Sequence, residues 1–461
     1  MFRSLFSHRG GVAVAAVTIG TASLSLAFAG TAGAVPSATP IVGSGSQTSY
    51  STMTTLTDLF NGVPGCDLTA STSVPSTLNC GTSSIVAGTA GGEQGFAVAA
   101  DNPYNDFAVQ APAIGSGNGD TALKAAATGA PTQTISFART SAHKGGTTQN
   151  DVEFATDGVS WTAFNVVGGV KTNQNKVTNI TKANLIAIYN GTLSCPSGAT
   201  TLFMDWKCLG AKVSSPIDVY VAQTGSGTYS TWQGAMGFTK NVTPGGVSGP
   251  NSELGWVADG GSAGTIVSAH VNLFENQMST IAAQPDAKDA IYFMSLGKFT
   301  TTCAGKNGKK VVCAGTPTND NVTFGAIDGV TASKATVQGT GGGAGVTFPI
   351  TRGLYNEYNN SSAAHPSDQA TLNFIGENGF LCKSSTGAEV DPQTGVVYRA
   401  EIEASITANG FFPLDVTGGS FAEGSVPNPG TITDAGYAVS DNAAGNTGAT
   451  GNGFCLVTPG A

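Results

Sequence analysis

The sequence predicts an α/β protein, because short apolar, strand-like segments alternate with helical ones along the chain. Without its N-terminal leader the chain keeps about 425 residues, more than one hydrophobic core holds, so we expect two lobes. A third observation is three glycine-serine segments, each of which precedes a helix-like stretch: 43–48, 115–119 and 225–228.

The predicted strands are bounded by glycine, proline or polar residues, as strands usually are. They cover Pro40–Val42, Thr134–Ala138, 159–167, Ile217–Val221, Ala290–Met294, Val346–Ile350 and Val396–Ile402. One helix has signals at both ends: Thr181 is a candidate N-cap for Ala183–Tyr189, and Gly191 lies just past the end.

The three glycine-serine segments could bind an anion as well as form turns. Tyr50, Met53, Leu56 and Phe60 recur at helical spacing after the first segment, and Trp232 begins a similar pattern after the third. A glycine-rich turn that opens a helix leaves N–H groups unpaired at the positive end of the helix dipole. Together with serine and threonine hydroxyls, these groups form a neutral cradle for an oxyanion; the alternative is an ordinary strand-to-helix turn.

Residues 1–34 are typical of a secretory signal peptide. Arg3 and Arg9 precede an apolar run over roughly 12–29, and Ala32-Gly33-Ala34 is a small-residue cleavage site; the alternative is an uncleaved membrane anchor. Removal of this segment leaves 18 basic and 29 acidic residues, a net charge of −11, and this acidity argues against nucleic-acid binding. Nothing later in the sequence is apolar enough to span a bilayer, so we expect a secreted, extracellular or periplasmic protein.

The eight cysteines fall into couples that are typical of disulfides in an exported chain. The predicted pairs are Cys66–Cys80, Cys195–Cys208, Cys303–Cys313 and Cys382–Cys455. A zinc site would need C-x-x-C spacing or nearby histidines, and the chain has neither, so no metal is expected.

Several segments, taken in order, resemble the phosphate-binding proteins of ABC phosphate importers, a branch of the type 2 periplasmic-binding-protein family. The matching segments are 43–48 (GSGSQT), 114–119 (IGSGNG), 136–142 (SFARTSA), 180–192, 223–228 (QTGSGT), 274–276, 290–293 and 348–350. The resemblance covers nearly all of residues 39–455. It implies the two-lobed type 2 fold, with mixed sheets flanked by helices and a ligand cleft between the lobes. Lobe 1 would comprise 39–165 and 346–458, and lobe 2 would comprise 166–345.

The resemblance also implies which residues hold the ligand and what the partners are. By position, the candidate ligand-binding residues are Ser46, Gln47, Thr48, Ser116, Ser141, Ser226, Gly227 and Thr228. The implied ligand is a small oxyanion or another polar solute, and the implied protein partner is an ABC transporter permease. Phe274, Glu275 and Asn276 match a second-lobe segment, in which Glu275 and Asn276 are expected at a helix surface or cap rather than at the ligand.

The chain departs from the phosphate-binding pattern at three positions. Ser141 stands where that family has the acceptor carboxylate that distinguishes protonated phosphate from sulfate, Ala222 stands in place of an arginine, and Thr224 in place of an aspartate. Arg139 lies two residues before Ser141, on the same strand face, and is a candidate ligand-binding cation; the alternative is an arginine that braces the surface or the lobe. We expect Arg139 to be the only cation near the ligand, and phosphate not to bind much more tightly than sulfate.

The sequence does not predict an enzyme or a cofactor. Residues 260–264 match G-x-S-x-G by composition alone, in a chain with 64 glycines. The chain has no GxxxxGK[ST] phosphate loop and no H-E-x-x-H motif. Paired carboxylates for glycoside chemistry stay open, because their separation in space is not visible in a sequence.

Two functions from different classes remain. The first is a secreted solute-binding protein that closes on an oxyanion or polar solute. The second is an extracellular surface or assembly protein that reuses the binding-protein fold without transport. The absence of a cysteine near the cleavage site, where a lipid anchor would be attached, favours the second, whereas periplasmic retention would favour the first.

Overall fold

The computed structural model describes ten parts of the chain, which belong to one compact unit. They are 41–61, 108–128, 135–142, 146–222 (without 173, 175 and 199), 225–237, 255–257, 275–338 (without 285, 307–309 and 319), 347–382 (without 368 and 378), 396–414, and 450–458 (without 453 and 454). The predicted signal peptide, the cysteines of the first predicted disulfide and the G-x-S-x-G segment lie outside these residues.

Helices and strands alternate along most of the described chain, as the sequence predicts. The helices are α1 (Tyr50–Asn61), α2 (Ser116–Ala127), α3 (Lys182–Tyr189), α4 (Gly227–Met236), α5 (Met278–Ala282), α6 (Leu296–Thr302), α7 (Lys334–Val337), α8 (Gln369–Ile375) and α9 (Tyr398–Ala408). The strands are β1 (Ile41–Gly45), β2 (Ala108–Ala113), β3 (Phe137–Thr140), β4 (Gln149–Val167), β5 (Val170–Lys171), β6 (Asn179–Ile180), β7 (Ser194–Ser197), β8 (Thr200–Phe203), β9 (Asp218–Tyr220), β10 (Gly255–Val257), β11 (Ala290–Ser295), β12 (Cys303–Lys306), β13 (Lys310–Cys313), β14 (Asn321–Phe324), β15 (Ala326–Ile327), β16 (Thr351–Asn359), β17 (Phe412–Pro413), β18 (Thr450–Asn452) and β19 (Cys455–Thr458).

A mixed sheet of thirteen of these strands is the scaffold of the fold. Its main order is β10-β9-β11-β4-β16-β3-β1-β2, and β5, β14, β17 and β19 pair with β4 off this path. Strand β4 is long enough to serve both halves of the sheet: 149–158 pairs antiparallel with β16, and 159–166 pairs antiparallel with β11 and β14. Strands β2, β1 and β3 run parallel, so their carboxyl ends meet at one edge.

The buried apolar side chains form two clusters. One is built from residues between 41 and 155 and between 354 and 457, and it includes Phe60, Phe137 and Phe374. The other is built from residues between 159 and 350 and includes Trp161 and Trp232. The division of the chain into lobes at 39–165, 166–345 and 346–458 stays a prediction.

The helix signals in the sequence correspond to helices in the structure. Thr181 caps α3 by accepting a hydrogen bond from the Asn184 N–H, and Gly191 follows with a φ of 66°. The helical spacing after the first glycine-serine segment corresponds to α1, whose Met53, Leu56 and Phe60 are buried. Such i, i+3 and i+4 spacing places one face of a helix on the core.

Two strand predictions are wrong. The strand predicted at Val346–Ile350 begins later, because 347–350 form a bend and β16 starts at Thr351. The segment Val396–Ile402 leads into a helix, α9, whose buried Tyr398, Ile402 and Ile406 recur every four residues. The short window of apolar residues there fitted a strand, and the helical period becomes visible only when Ile406 is included.

Three of the predicted disulfides are present. Cys195–Cys208, Cys303–Cys313 and Cys382–Cys455 are bonded, and they span sequence separations of 13, 10 and 73 residues. The pair Cys303–Cys313 lies across the β12–β13 hairpin, where the two residues are register partners. Within the described residues, no helix has both the length and the apolar character needed to cross a membrane.

Candidate functional site

Four loops that are distant in sequence meet at one buried point. Two of them lie at the carboxyl ends of β1 and β3, and two are the starts of α2 and α4. They bring together six hydroxyl side chains, each 0–1 % exposed: Ser46, Thr48, Ser116, Ser141, Ser226 and Thr228. The structure therefore gathers most of the predicted ligand-binding residues, and it gathers them in a closed arrangement.

Three serines form one side of this point. Ser141 lies between the other two: the Ser46 Oγ donates to Ser141 Oγ over 3.2 Å, and the Ser116 and Ser141 Oγ atoms are 3.1 Å apart. The Ser141 N–H also donates to Ser116 Oγ, at 3.1 Å. Gly227, the first residue of α4, packs directly on this group, since a Cβ there would lie 2.2 Å from Ser141 Oγ and 2.5 Å from Ser116 Oγ.

Two threonines and an arginine form the other side. The Thr48 and Thr228 hydroxyl oxygens are 3.1 Å apart. Arg352 donates from Nη1 to Thr228 Oγ1 at 2.9 Å and from Nη2 to Thr48 Oγ1 at 3.4 Å. The expectation that Arg139 is the only cation near the site is therefore wrong, because the Arg352 guanidinium is in direct contact with it.

Asp157 holds Arg352 in place. The two residues are register partners on β4 and β16, both are fully buried, and Asp157 Oδ2 accepts from Arg352 Nε at 3.1 Å and from Nη2 at 2.9 Å. The other carboxylate oxygen accepts from the Gly297 N–H at the start of α6. A buried ion pair with its remaining polar atoms satisfied fixes the direction of the guanidinium toward the threonines.

The Glu275 carboxylate occupies the start of α4. Its Oε1 accepts from the Ser226 hydroxyl at 2.6 Å and from the Thr228 N–H at 3.0 Å. Its Oε2 accepts from the Thr48 N–H at 3.1 Å and from the Thr48 hydroxyl at 2.9 Å. Of the two alternatives expected for Glu275, the helix surface is wrong, because the residue is 1 % exposed. The helix cap fits, because the carboxylate accepts from the Thr228 N–H in the first turn of α4, and it also contacts the loop after β1.

A defined direction of hydrogen bonding follows from these contacts. The single hydroxyl proton of Thr48 is directed to Glu275, so the contact between the two threonines must be donated by Thr228. Thr228 in turn accepts from Arg352. The chain Arg352–Thr228–Thr48–Glu275 thus runs from a cation to an anion, and each bond in such a chain polarises the next.

Two neighbours complete the surroundings of Glu275. Asn276 has a φ of 65°, and its side chain accepts from the Ser295 N–H at 3.0 Å while donating to Thr48 Oγ1 at 3.4 Å. Lys298 on α6 donates to Ser51 Oγ at 2.7 Å. Burial lowers the pKa of Lys298 to about 8, and the nearby Glu275 and Asp157 carboxylates partly oppose that shift.

Arg139 lies behind the first loop and is fully buried. It donates to the carbonyls of Gly43, Ser46 and Ala111 and to the Gln110 side chain, and its guanidinium carbon lies 5.1 Å from the Tyr50 ring centre. Burial lowers the pKa of Arg139 to about 10, so it stays protonated at neutral pH. These contacts match the bracing alternative; its role toward a ligand stays a prediction.

Gln47 differs from the other predicted residues. Its side chain is half-buried, and among the described residues its amide oxygen has no hydrogen-bond partner. No group of three or more metal-ligating side chains occurs within the described parts of the chain.

Three charged residues that contact the site were not predicted from the sequence: Arg352, Asp157 and Glu275. Asp157 and Arg352 could have been suspected, because each is a charge within a run of buried strand residues, 151–164 in β4 and all of β16, and a buried charge needs a partner. For Glu275 no sequence signal reveals the partner, since Thr48 is 227 residues away.

Comparison with known proteins adds only weak structural likeness. Neither the models of known protein families nor the curated protein sequences match this chain. One solved structure with a similar arrangement is described as the crystal structure of a possible phosphate binding protein from Planctomyces limnophilus DSM 3776. It is 13 % identical, 80 % of this chain and 97 % of that chain are covered, and the TM-score is 0.34. A likeness this weak decides neither the family nor the ligand of this chain.

Proposed function

We propose that the protein is an extracellular or periplasmic solute-binding protein that captures a small oxyanion. The observation that carries the proposal is the meeting of Ser46, Thr48, Ser116, Ser141 and the Ser226–Thr228 helix start at one buried point. Neutral N–H and hydroxyl donors at a helix start are the groups that bind phosphate and sulfate in proteins. The Glu275 carboxylate already accepts hydrogen bonds from these donors, which supports a preference of the site for negatively charged groups.

The site residues are buried, so the proposed ligand enters only when the loops separate. Opening around a few hinge residues and closing on the ligand is a common motion of clefts between packed units. In the proposed bound state the Thr48 and Thr228 N–H groups bind the oxyanion, and Arg352, fixed by Asp157, adds positive charge through Thr228. A permease of an ABC transporter is the protein partner that this function would require.

Calorimetric titration of the secreted protein with phosphate, sulfate and a neutral sugar tests the proposal. We expect both anions to bind with similar affinity, because Ser141 stands where the phosphate-binding pattern has its acceptor carboxylate, and Asp157 is already bonded to Arg352. The sugar should not bind. If neither anion binds, or if the sugar binds instead, the proposed ligand class is wrong.

A matched pair of variants on α4 makes this test specific. Ser226→Ala removes a hydroxyl of the site, whereas Ser230→Ala removes a hydroxyl that bonds only within the helix, to the Ser226 carbonyl. We expect Ser226→Ala to weaken the anion by up to about fivefold, since one hydrogen bond contributes about 1 kcal/mol and the Glu275 carboxylate loses its bond to the same hydroxyl. Ser230→Ala should bind as the wild type does, and equal losses in both variants would contradict the proposed site.

A second candidate is an extracellular surface or assembly protein that reuses the fold. The observation in its favour is that the hydroxyl groups are bonded to one another and to Glu275, which is an arrangement that holds the loops together without any ligand. Native mass spectrometry of the secreted protein separates the two candidates. A retained small anion supports solute binding, whereas high-order assemblies without an anion support the structural role.

A further inference from the structure

The Glu275 carboxylate is matched to its donors as a bound ligand would be. Each of its two oxygens accepts two hydrogen bonds, one from a backbone N–H and one from a hydroxyl, at 2.6 to 3.1 Å. The donors come from two loops, the one after β1 and the start of α4, so the carboxylate joins them. Bonds of this kind to an ionised acceptor are among the strongest hydrogen bonds in proteins.

The donors of the cradle are already engaged by Glu275. The Thr48 N–H, the Thr228 N–H and the hydroxyls of Thr48 and Ser226 are the groups that would bind an external oxyanion, and Glu275 already uses all four. An oxyanion beside an ionised Glu275 would place two like charges in contact in a buried site, which is strongly unfavourable. The charge of Arg352 offsets this repulsion only in part, because Arg352 is already paired with Asp157.

The segment that carries Glu275 is held in an uncommon conformation. Asn276, directly after it, has a φ of 65°, a value that non-glycine residues adopt rarely and asparagine more readily than most. The Asn276 side chain is tied to the Ser295 N–H at the end of β11. This anchoring directs Glu275 into the cradle.

We propose that Glu275 is an internal ligand of the oxyanion site, and that it must leave the cradle for an external oxyanion to bind. The inference rests on the proposed function and adds a residue that sets the affinity of the site. Glu275 and the external anion compete for the same four donors, so one displaces the other. An external anion binds only if its affinity for these donors exceeds that of the tethered carboxylate. Glu275 therefore excludes anions that bind weakly.

Three variants test this competition. Glu275→Ala removes the internal ligand; Glu275→Gln keeps the volume but leaves one oxygen acceptor in place of two; Glu403→Ala, a surface carboxylate bonded to Arg399, is the control. Phosphate and sulfate affinities are measured by calorimetry for each variant and the wild type. We expect Glu275→Ala to bind both anions about ten- to a hundredfold more tightly than the wild type, Glu275→Gln to be intermediate, and Glu403→Ala to be unchanged.

Acetate provides a second readout. In Glu275→Ala a small carboxylate can refill the cradle, so acetate should raise the melting temperature of this variant and leave those of the wild type and Glu403→Ala unchanged. Because Glu275→Ala takes an acceptor away from four buried donors, this variant could fail to fold, and the affinity of Glu275→Gln then decides. Equal anion affinity in the wild type and in Glu275→Gln, or in Glu275→Ala where it folds, would overturn the inference.

The results separate this inference from the proposed function. If the wild type binds no oxyanion and Glu275→Ala does, Glu275 is an internal ligand and the wild-type protein is not an oxyanion-binding protein. If the wild type binds oxyanions and the Glu275 variants bind them no more tightly, the proposed function stands and the inference fails.

Discussion

Replacement of Gly227 by alanine should separate the helix α4 from the serine group on which it packs. A Cβ at this position would lie 2.2 Å from Ser141 Oγ and 2.5 Å from Ser116 Oγ, and both atoms are held by hydrogen bonds to each other and, for Ser141, to Ser46. Moving them breaks these bonds, each of which contributes about 0.5–1.5 kcal/mol. We therefore expect Gly227→Ala to lower the free energy of unfolding by about 1–3 kcal/mol, the usual effect of overpacking a core.

The control for this variant is Gly117→Ala. Gly117 lies at the start of α2, close to Gly225, and a Cβ there would have its nearest neighbour at 3.7 Å, an ordinary contact. Gly117→Ala should therefore be neutral or stabilising by about 0.5 kcal/mol, because alanine lowers the conformational entropy of the unfolded chain. Urea unfolding of both variants measures the difference, and adding Ser141→Gly to Gly227→Ala should restore part of the loss. Equal stability of the two alanine variants would refute the close packing described above.

Three further predictions concern the rest of the fold. Arg352→Met should lower the free energy of unfolding by about 3–5 kcal/mol, because it leaves Asp157 charged and unpaired in the interior. Adding Asp157→Leu to this variant should restore most of the lost stability. Denaturant unfolding of the single and double variants measures both effects, and a double variant no more stable than Arg352→Met would contradict the prediction. Burial and neighbouring carboxylates raise the pKa of Glu357 well above its ordinary value of 4.5, so the folded state holds a proton that the unfolded state releases, and stability falls as the pH rises from 4.5 through the folded pKa. Glu357→Gln should reduce this pH dependence of stability, so the variant should be more stable than the wild type at pH 8 but not at pH 4. Unfolding curves at both pH values test this, and an unchanged pH dependence would contradict the prediction. Loss of the Cys382–Cys455 disulfide should destabilise the protein by about 4 kcal/mol, and loss of Cys303–Cys313 by about 3 kcal/mol. The first value is larger because a disulfide that closes a longer loop removes more entropy from the unfolded chain. Equal losses in thermal unfolding would argue against this explanation.

Local patterns predicted the parts of the fold that depend on local physics. The cap at Thr181, the apolar face of α1 and the cysteine couples within short loops each involve neighbours in sequence. The glycine-serine segments were also found, because a turn that opens a helix has its own residue requirements. The first two segments meet because β2, β1 and β3 run parallel, whereas the third follows β9 in the other part of the sheet, and no local pattern shows that it joins them.

The contacts that define the site could not be predicted in the same way. Glu275 and Thr48 meet across 227 residues, and Arg352 and Thr228 across 124, so no local pattern links them. Arg139 was the more visible cation because it adjoins Ser141 in sequence, yet its hydrogen bonds are to carbonyls and Gln110. A charge in a buried strand indicates that a partner exists, but only the strand register, here Arg352 opposite Asp157, identifies it.

The most direct test of the central claim is a crystal structure of the protein grown with saturating sulfate or phosphate. We predict an anion between the Thr48 and Thr228 N–H groups, with the Glu275 carboxylate withdrawn from both. An anion bound elsewhere, with Glu275 still accepting hydrogen bonds from Thr48 and Thr228, would contradict it.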